Sequence, residues 1–156
     1  MGRRKNREPV QLCSGMMESG TITIQPVGLI HSPFRDRGQA PRQGYSSMVT
    51  STIEIFPEYA PALGTMEGIR YIWILYWMDR AERDLLIARS SDWNEARPVF
   101  SIRSPARPNP VALSLGRIIS VQDQTITVTG LEALDGSPVI DIKPYVHELD
   151  CIDADD

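Results

Sequence analysis

The chain has 156 residues, 42% of them hydrophobic and 23% charged, which is the size and composition of one ordinary globular domain. Its most apolar run, residues 69–78, is half the length that a membrane-spanning helix needs. Two cysteines and two histidines at unrelated spacings argue against a disulfide framework and a zinc site, and favour the cytoplasm.

Charge divides the chain into three predicted segments. Residues 1–20 form a basic tail with Arg3, Arg4, Lys5 and Arg7, and no apolar stretch follows that would make it a signal peptide. We expect this tail to be disordered. Residues 21–146 form the globular domain, and residues 147–156 form an acidic tail. Because the net charge is −4, any nucleic acid must be held by a local basic patch.

Short β segments with turn residues between them fill most of the domain. Residues 21–24 and 51–55 alternate between apolar and polar, as in half-buried strands, and residues 69–77 resemble a strand buried on both faces. A further segment, residues 80–89, is predicted as a helix capped by Asp79, although its apolar residues are adjacent instead of spaced by three and four.

The second half of the domain continues the β pattern. Residues 99–102 are predicted as a strand, residues 118–121 and 125–129 as a hairpin, and residues 139–142 as a final strand. The expected fold is mostly β, a small β-barrel of about seven strands with long connecting loops and few helices. No glycine-rich dinucleotide fingerprint and no βαβ alternation is present, which excludes the usual doubly wound nucleotide fold.

A proline-rich run at residues 100–110 is the first motif that suggests chemistry. Three prolines in six positions hold Arg103, Arg107 and Asn109 in a rigid loop. A solvated surface turn is the alternative, but a long rigid loop on a β scaffold is more often functional.

A second motif covers residues 134–145. Asp135 and Gly136 form a turn signal, and Pro138 begins the next strand. Asp141 and Lys143 lie two residues apart and therefore on one face, where we expect an ion pair with the arginine-rich loop. A structural role is at least as plausible as catalysis for these two residues.

Aromatic residues of the apolar run allow two interpretations. Trp73, Tyr76 and Trp77 could stack on nucleic-acid bases. In a run this apolar, core packing is the favoured interpretation.

These motifs, taken in order, resemble those of the TsaA-like (YaeB-like, or TrmO) family. The resemblance rests on Ser32-Pro33-Phe34, Pro41-Arg42-Gln43-Gly44, Arg103-Ser104-Pro105, Arg107-Pro108-Asn109-Pro110, Asp135-Gly136-Ser137-Pro138 and Asp141-Ile142-Lys143-Pro144-Tyr145. It extends from about Pro26 to Tyr145. The sequence departs from the family pattern at Ala106, Ala112, Glu132 and Ser137, and longer members carry a second, carboxy-terminal domain.

The resemblance implies a dimeric β-barrel methyltransferase that uses S-adenosyl-L-methionine and methylates N6 of N6-threonylcarbamoyladenosine in tRNA, beside the anticodon. It places the cofactor against four segments: Gln43, Gly44 and Tyr45; Asp79 and Arg80; Arg103 and Leu113; Thr129, Gly130, Leu131 and Glu132. Arg107 and Asn109 are the expected substrate-binding residues, with Arg107 and the basic tail holding phosphate.

Two questions stay open at the level of sequence. No residue presents itself as the general base, although His31 and Tyr71 have suitable side chains. The alternative function is a non-catalytic module that binds S-adenosylmethionine or another adenine nucleoside.

Overall fold

The computed structural model describes residues 22–44, 47–89 and 95–152, and within them the fold is built almost entirely of strands. The strands are β1 (Gly28–His31), β2 (Thr50–Ile55), β3 (Tyr71–Trp77), β4 (Ile87–Ala88), β5 (Arg97–Pro98), β6 (Val111–Gln122), β7 (Thr125–Thr129) and β8 (Pro138–Pro144). The helices α1 (Ala60–Leu63) and α2 (His147–Asp150) are single turns, and short 3-10 turns lie at Pro57–Tyr59 and Val99–Ser101.

Six strands close into a barrel in the order β1-β2-β7-β6-β3-β8, and every neighbouring pair is antiparallel. Alternate residues point inward and form the core, because successive side chains of a strand face opposite sides of the sheet. The fully buried members include Ile30, Ile53, Ile72, Ile74, Ile126, Val128, Leu131 and Val139. The predicted fold class, a small and mostly β barrel, is confirmed.

The strands differ in detail from the prediction. The hairpin of β6 and β7 is present, but β6 begins at Val111 and pairs with β3 as well as β7. Residues 22–24 are not a strand, and residues 99–101 form a 3-10 turn directly after Pro98, where β5 ends. In β3 the inward face of Ile72, Ile74 and Tyr76 is buried. The other face is covered only in part, since Tyr71 is exposed and Trp73 and Leu75 are half-buried, whereas Trp77 is buried.

The predicted helix at residues 80–89 is wrong. The segment consists of turns that lead into β4, which pairs with β5 as a separate two-stranded sheet. Leu85, Leu86 and Ile87 are all exposed. Three adjacent apolar residues cannot bury one face of a helix, which explains why no helix forms.

Three long loops leave the barrel at one end. Antiparallel pairing brings the carboxyl ends of β1, β3 and β7 beside the amino ends of β2, β6 and β8. The loops that follow these carboxyl ends are residues 32–49, 78–110 and 130–137. They contain most of the motif residues found in the sequence, and we call this end of the barrel the loop end.

Candidate functional site

A partly buried glutamate lies at the centre of the loop end. Beyond β7 the chain continues beside β6, which places Glu132 against Ser114. The Ser114 Oγ donates a hydrogen bond to Glu132 Oε1 at 2.9 Å. Burial raises the pKa of the Glu132 carboxyl above its ordinary value, against the opposing effects of hydrogen bonds from Ser114 and from the backbone of Gly44 and of the charge of Arg103. The site therefore holds a carboxylate that is a stronger base than an exposed glutamate.

Gly44 packs directly on the segment that carries this glutamate. A Cβ on Gly44 would lie 2.3 Å from the carbonyl oxygen of Gly130 and 2.0 Å from Glu132 Oε2. Gly130 itself has a φ of +94°, which a residue with a side chain rarely adopts. Both glycines are thus needed for the 32–49 and 130–137 loops to meet.

Tyr76 and Ser114 extend the site into the barrel. Both side chains face the interior, and a hydrogen bond joins Tyr76 to Ser114. Burial, and next the charge of Glu132, raise the pKa of the Tyr76 hydroxyl, which keeps it a neutral phenol. Ser114 lies in none of the motifs that the sequence indicated. Its signal is a hydroxyl in the inward row of β6, between Ala112 and Gly116.

Arg80 ties two of the loops together at the same end. Its guanidinium donates to the backbone carbonyls of Arg35, at 3.0 Å, and of Asp135. Its Nε also lies 3.6 Å from the Asp79 carboxylate. In return the Asp135 carboxylate accepts bonds from the Arg35 guanidinium and from the Ser32 N–H. Arg80, which was expected at the cofactor, thus joins the 78–110 loop to its two neighbours, and Asp79 pairs with it.

Arg107 organises the proline-rich loop from within. Its Nε donates to the Ser104 carbonyl at 2.7 Å, and its Nη2 donates to the carbonyls of Val99 and Ile102. Asn109 is exposed, and its carbonyl accepts the Val111 N–H. The guanidinium of Arg107 is thus hydrogen-bonded within its own loop. Arg103 is exposed, and its positive charge acts to lower the pKa of Glu132.

The remaining predicted cofactor residues border this site in different ways. Leu113 points outward from β6, opposite Leu75, with 53% of its surface exposed. Thr129 and Leu131 are buried, and Gln43 is exposed next to Gly44. Tyr45 lies outside the described residues.

Other candidates from the sequence lie elsewhere. His31 Nε2 is 2.7 Å from Glu54 Oε2 on an exposed surface, and Tyr71 begins β3 at the opposite end of the barrel, in edge contact with Tyr145. Asp141 and Lys143 pair with each other at 2.8 Å on β8. The ion pair expected between them and the arginine-rich loop is therefore wrong, since residues two apart on a strand reach each other first.

The loop end is the basic part of an acidic protein. Of the twelve lysines and arginines in the described ranges, nine lie in the three loops. The same loops contain seven of the fourteen described acidic residues, so basic residues outnumber acidic ones there. The basic residues are Arg35, Arg37, Arg42, Arg80, Arg83, Arg89, Arg97, Arg103 and Arg107. The described remainder has three basic and seven acidic residues. A polyanion would therefore be attracted to the loop end.

The described residues offer neither a membrane-spanning helix nor a cluster of metal ligands. No helix there is long and apolar enough to span a bilayer. Within the same ranges, no group of three or more histidine, cysteine or acidic side chains is placed to hold a metal ion.

Comparison with known proteins assigns this barrel to a family. The profile of the tRNA-methyltransferase O N-terminal domain matches residues 29–151. An Archaeoglobus fulgidus protein described as "S-adenosyl-L-methionine-binding protein" is 48% identical over 131 residues, covering 84% of this chain and 94% of the relative. The human tRNA (adenine(37)-N6)-methyltransferase is 31% identical over 157 residues, covering 96% of this chain and 36% of the human protein.

A crystal structure of TrmO from Pseudomonas aeruginosa has the same fold. It superposes with a TM-score of 0.73 and 30% sequence identity, covering 90% of this chain. The present chain spans 62% of that solved chain.

Proposed function

The chain belongs to the family of tRNA-methyltransferase O N-terminal domains, and from this premise we propose that it methylates N6 of threonylcarbamoyladenosine in tRNA, near the anticodon, in the cytoplasm. Membership and the relatives' names make it an S-adenosylmethionine-dependent methyltransferase. The identity of the methyl acceptor is our proposal. The observation that carries it is the partly buried Glu132 carboxylate inside a basic loop end.

The side chains at the loop end fit S-adenosylmethionine. That cofactor presents a carboxylate, an ammonium, a ribose diol and an adenine ring, and its sulfonium supplies an activated methyl group when bound. Arg103 offers a guanidinium fork for the carboxylate, and the exposed Leu113 offers apolar contact. The backbone of residues 130–132, the segment that includes Glu132, offers further hydrogen-bonding groups to the cofactor. We assign the cofactor to this region, with Gln43, Gly44, Asp79 and Arg80 around it, and we keep Tyr45, which lies outside the described residues, as a proposed contact.

Glu132 is the residue that we propose as general base. The N6 nitrogen of the acceptor is conjugated to a carbonyl and is a poor nucleophile until it loses its proton. Because burial raises the pKa of Glu132, its carboxylate accepts a proton more readily than an exposed glutamate. Ser114 and the Gly44 N–H orient the carboxylate. Glu132 takes the N6 proton as the nitrogen is alkylated, and it then returns the proton to solvent.

The distribution of charge supports tRNA as the macromolecular substrate. Exposed arginines of the 32–49 and 78–110 loops lie at the same end of the barrel as Glu132, and the charge of one of them, Arg103, acts on it. Phosphate groups are bound chiefly by such side chains. We propose that Arg107, whose Nε and Nη2 also shape the proline-rich loop, contacts the RNA together with Asn109 and the basic tail residues Arg3, Arg4 and Lys5.

A homodimer is part of the proposal. Phe100 is 83% exposed and Leu86 is 67% exposed, and both lie in the 78–110 loop near the short β4–β5 sheet. Large apolar side chains exposed together are typical of a surface that a partner covers. Sedimentation of the chain and of Phe100→Ser tests this, since a monomer at all micromolar concentrations of the unaltered chain would exclude the dimer.

The decisive assay incubates labelled S-adenosylmethionine with tRNA that contains or lacks threonylcarbamoyladenosine. Label that enters only the modified tRNA supports the proposal. Label in neither tRNA, from protein that binds the cofactor in a calorimeter, would favour the second candidate, a binding module without transfer. The names of the relatives described as S-adenosylmethionine-binding proteins are the observation in favour of that candidate.

A further inference from the structure

Tyr76 is a buried titratable residue to which the proposed mechanism gives no role. It belongs to the inward row of β3 near the loop end, and only 2% of its surface is exposed. Its register partner on β6 is Ala112, so Ser114, two residues further along, is its diagonal neighbour on the same face of the sheet. Such diagonal neighbours lie within reach of an aromatic side chain, and the Tyr76 hydroxyl forms a hydrogen bond with Ser114.

The two hydrogen bonds of Ser114 can run in only one order. A serine hydroxyl has one proton to donate, and Ser114 donates it to Glu132 Oε1 at 2.9 Å. Toward Tyr76 the same oxygen can therefore only accept. Burial, and next the charge of Glu132, raise the pKa of the Tyr76 hydroxyl, so the phenol keeps the proton that it donates. Donation thus runs from Tyr76 to Ser114 and from Ser114 to Glu132.

This chain of hydrogen bonds begins inside the protein. Tyr76 belongs to the same apolar core cluster as Leu131 and Val139. A neutral phenol in such surroundings already holds its one proton, so the chain does not carry the proton of Glu132 away. It can instead hold the carboxylate, because consecutive hydrogen bonds in a medium of low dielectric polarise and strengthen one another.

We propose that Tyr76 is a positioning residue, which acts through Ser114 to hold the Glu132 carboxylate in one orientation and to stabilise its charged form. The proposal rests on the proposed function, since it takes Glu132 as the general base. Two other groups act on this carboxyl, the Gly44 N–H and the charge of Arg103. Both belong to loops, whereas Tyr76 and Ser114 belong to paired strands and give the carboxylate a rigid support.

The first readout is the pKa of Glu132 in the ligand-free full chain, followed by ¹³C NMR of the glutamate carboxyl carbons. The signal is assigned by its absence in Glu132→Gln. In Tyr76→Phe the pKa of Glu132 should rise by about 0.3–1, as expected when one hydrogen bond to the charged form is weakened. Ser114→Ala should raise it at least as much. Tyr71→Phe removes a hydroxyl from the exposed start of the same strand, and it should leave the pKa of Glu132 unchanged.

Two further proteins separate action through Ser114 from a loss of packing. When Tyr76→Phe is added to Ser114→Ala, the pKa of Glu132 should not change further, because the hydroxyl that couples the two residues is gone. Replacement of Tyr76 by 3-fluorotyrosine nearly keeps the shape of the ring and makes the phenol a stronger donor, so the pKa of Glu132 should fall. The proposal is overturned if either single replacement of Tyr76 leaves this pKa unchanged, or if Tyr76→Phe has its full effect without Ser114.

The pH profile of methyl transfer to modified tRNA is the second readout. In Tyr76→Phe the pH at which log kcat levels off should move upward with the pKa of Glu132. Below that pH, kcat should fall by about twofold to tenfold, which is the same pKa change expressed as a ratio. KM for S-adenosylmethionine should stay unchanged. A raised KM with an unmoved pH profile would overturn the proposal.

These measurements distinguish failure of this proposal from failure of the proposed function. If the pKa of Glu132 responds as expected but Glu132→Gln keeps its kcat, the general base is rejected and the action of Tyr76 on the carboxylate is retained. If Glu132→Gln loses activity while Tyr76→Phe changes neither the pKa nor the pH profile, the base is retained and the role of Tyr76 is rejected.

Discussion

The hydroxyl of Ser114 on β6 donates to the carboxylate of Glu132, which lies beyond the end of β7, at 2.9 Å. This bond joins the barrel interior to a loop, and it fixes the one carboxylate of the candidate site whose proton affinity is raised by burial.

Replacement of that carboxylate tests its role as general base. Glu132→Gln should lower kcat by about 10²–10⁴-fold, the usual contribution of a positioned base, with a much smaller change in cofactor affinity. In the unaltered enzyme log kcat should rise with pH up to the raised pKa of Glu132 and then level off. Glu95→Gln, an exposed glutamate of the 78–110 loop, is the control. A large loss of S-adenosylmethionine affinity with kcat preserved would assign Glu132 to the cofactor instead.

The same substitution has a consequence for stability. The pKa of Glu132 is higher in the folded than in the unfolded chain, so the protonated carboxyl favours the folded state. This contribution to the free energy of unfolding is fully present at low pH and is lost as pH rises through the folded pKa. Relative to Glu132→Gln, the unaltered chain should therefore lose stability between the ordinary glutamate pKa and the raised one, with no further change above it. Urea unfolding of both proteins from pH 4 to pH 8 measures the difference, and a constant difference would contradict the prediction.

Gly44→Ala tests the contact between the 32–49 and 130–137 loops. The added Cβ would collide with the Gly130 carbonyl and with Glu132, and relief of such overpacking costs about 1–3 kcal/mol. The variant should unfold at lower denaturant concentration and bind S-adenosylmethionine more weakly. Gly38→Ala is a matched control in the same loop, since its Cβ would meet only the mobile end of the Asp36 side chain at 3.2 Å. Equal behaviour of the two variants would argue against the contact.

Two arginines of the proline-rich loop should respond differently to removal. Arg107→Ala loses donors to the carbonyls of Val99, Ile102 and Ser104 and should destabilise the protein by about 2–3 kcal/mol. Lysine should not replace it, because an ammonium lacks the planar fork. Arg103→Ala should leave stability nearly unchanged and weaken S-adenosylmethionine binding by about 1.5–3 kcal/mol, measured by calorimetry. An unchanged affinity would remove Arg103 from the site.

Binding to tRNA should depend on salt through the basic residues. Each phosphate contact to a single strand contributes a slope of roughly −0.7 in a plot of log affinity against log salt concentration. Deletion of residues 1–8 should flatten the slope and leave S-adenosylmethionine affinity intact. An identical slope in the truncated protein would mean that the tail does not contact the RNA.

The sequence predicted the barrel because alternation of apolar residues is a local property that survives in the fold, as in β2 and in the β6–β7 hairpin. It failed at residues 80–89, where composition resembled a helix but the apolar residues lacked helical spacing. The sequence also predicted an ion pair of Asp141 and Lys143 with the arginine-rich loop, whereas in the structure the two residues pair with each other.

Only those residues of the candidate site that belong to sequence motifs could be predicted from the sequence. Gly44 and Glu132 were expected at the cofactor, and the structure brings them into contact. The hydrogen bond between Ser114 and Glu132 depends on pairing between β3 and β6 and on the path of the chain after β7, which a local sequence pattern does not encode.

The antiparallel closure of the barrel has a practical consequence for handling the protein. The amino end of β1, the carboxyl end of β8 and the tight β6–β7 turn at Asp123 all lie at the pole opposite the loop end. A fluorescent tag or surface linker attached beyond β8 would therefore leave the loop end open to a macromolecule as large as tRNA. A circular permutant opened at the β6–β7 turn would keep all three long loops intact, and would offer new termini from which to orient the barrel on a surface.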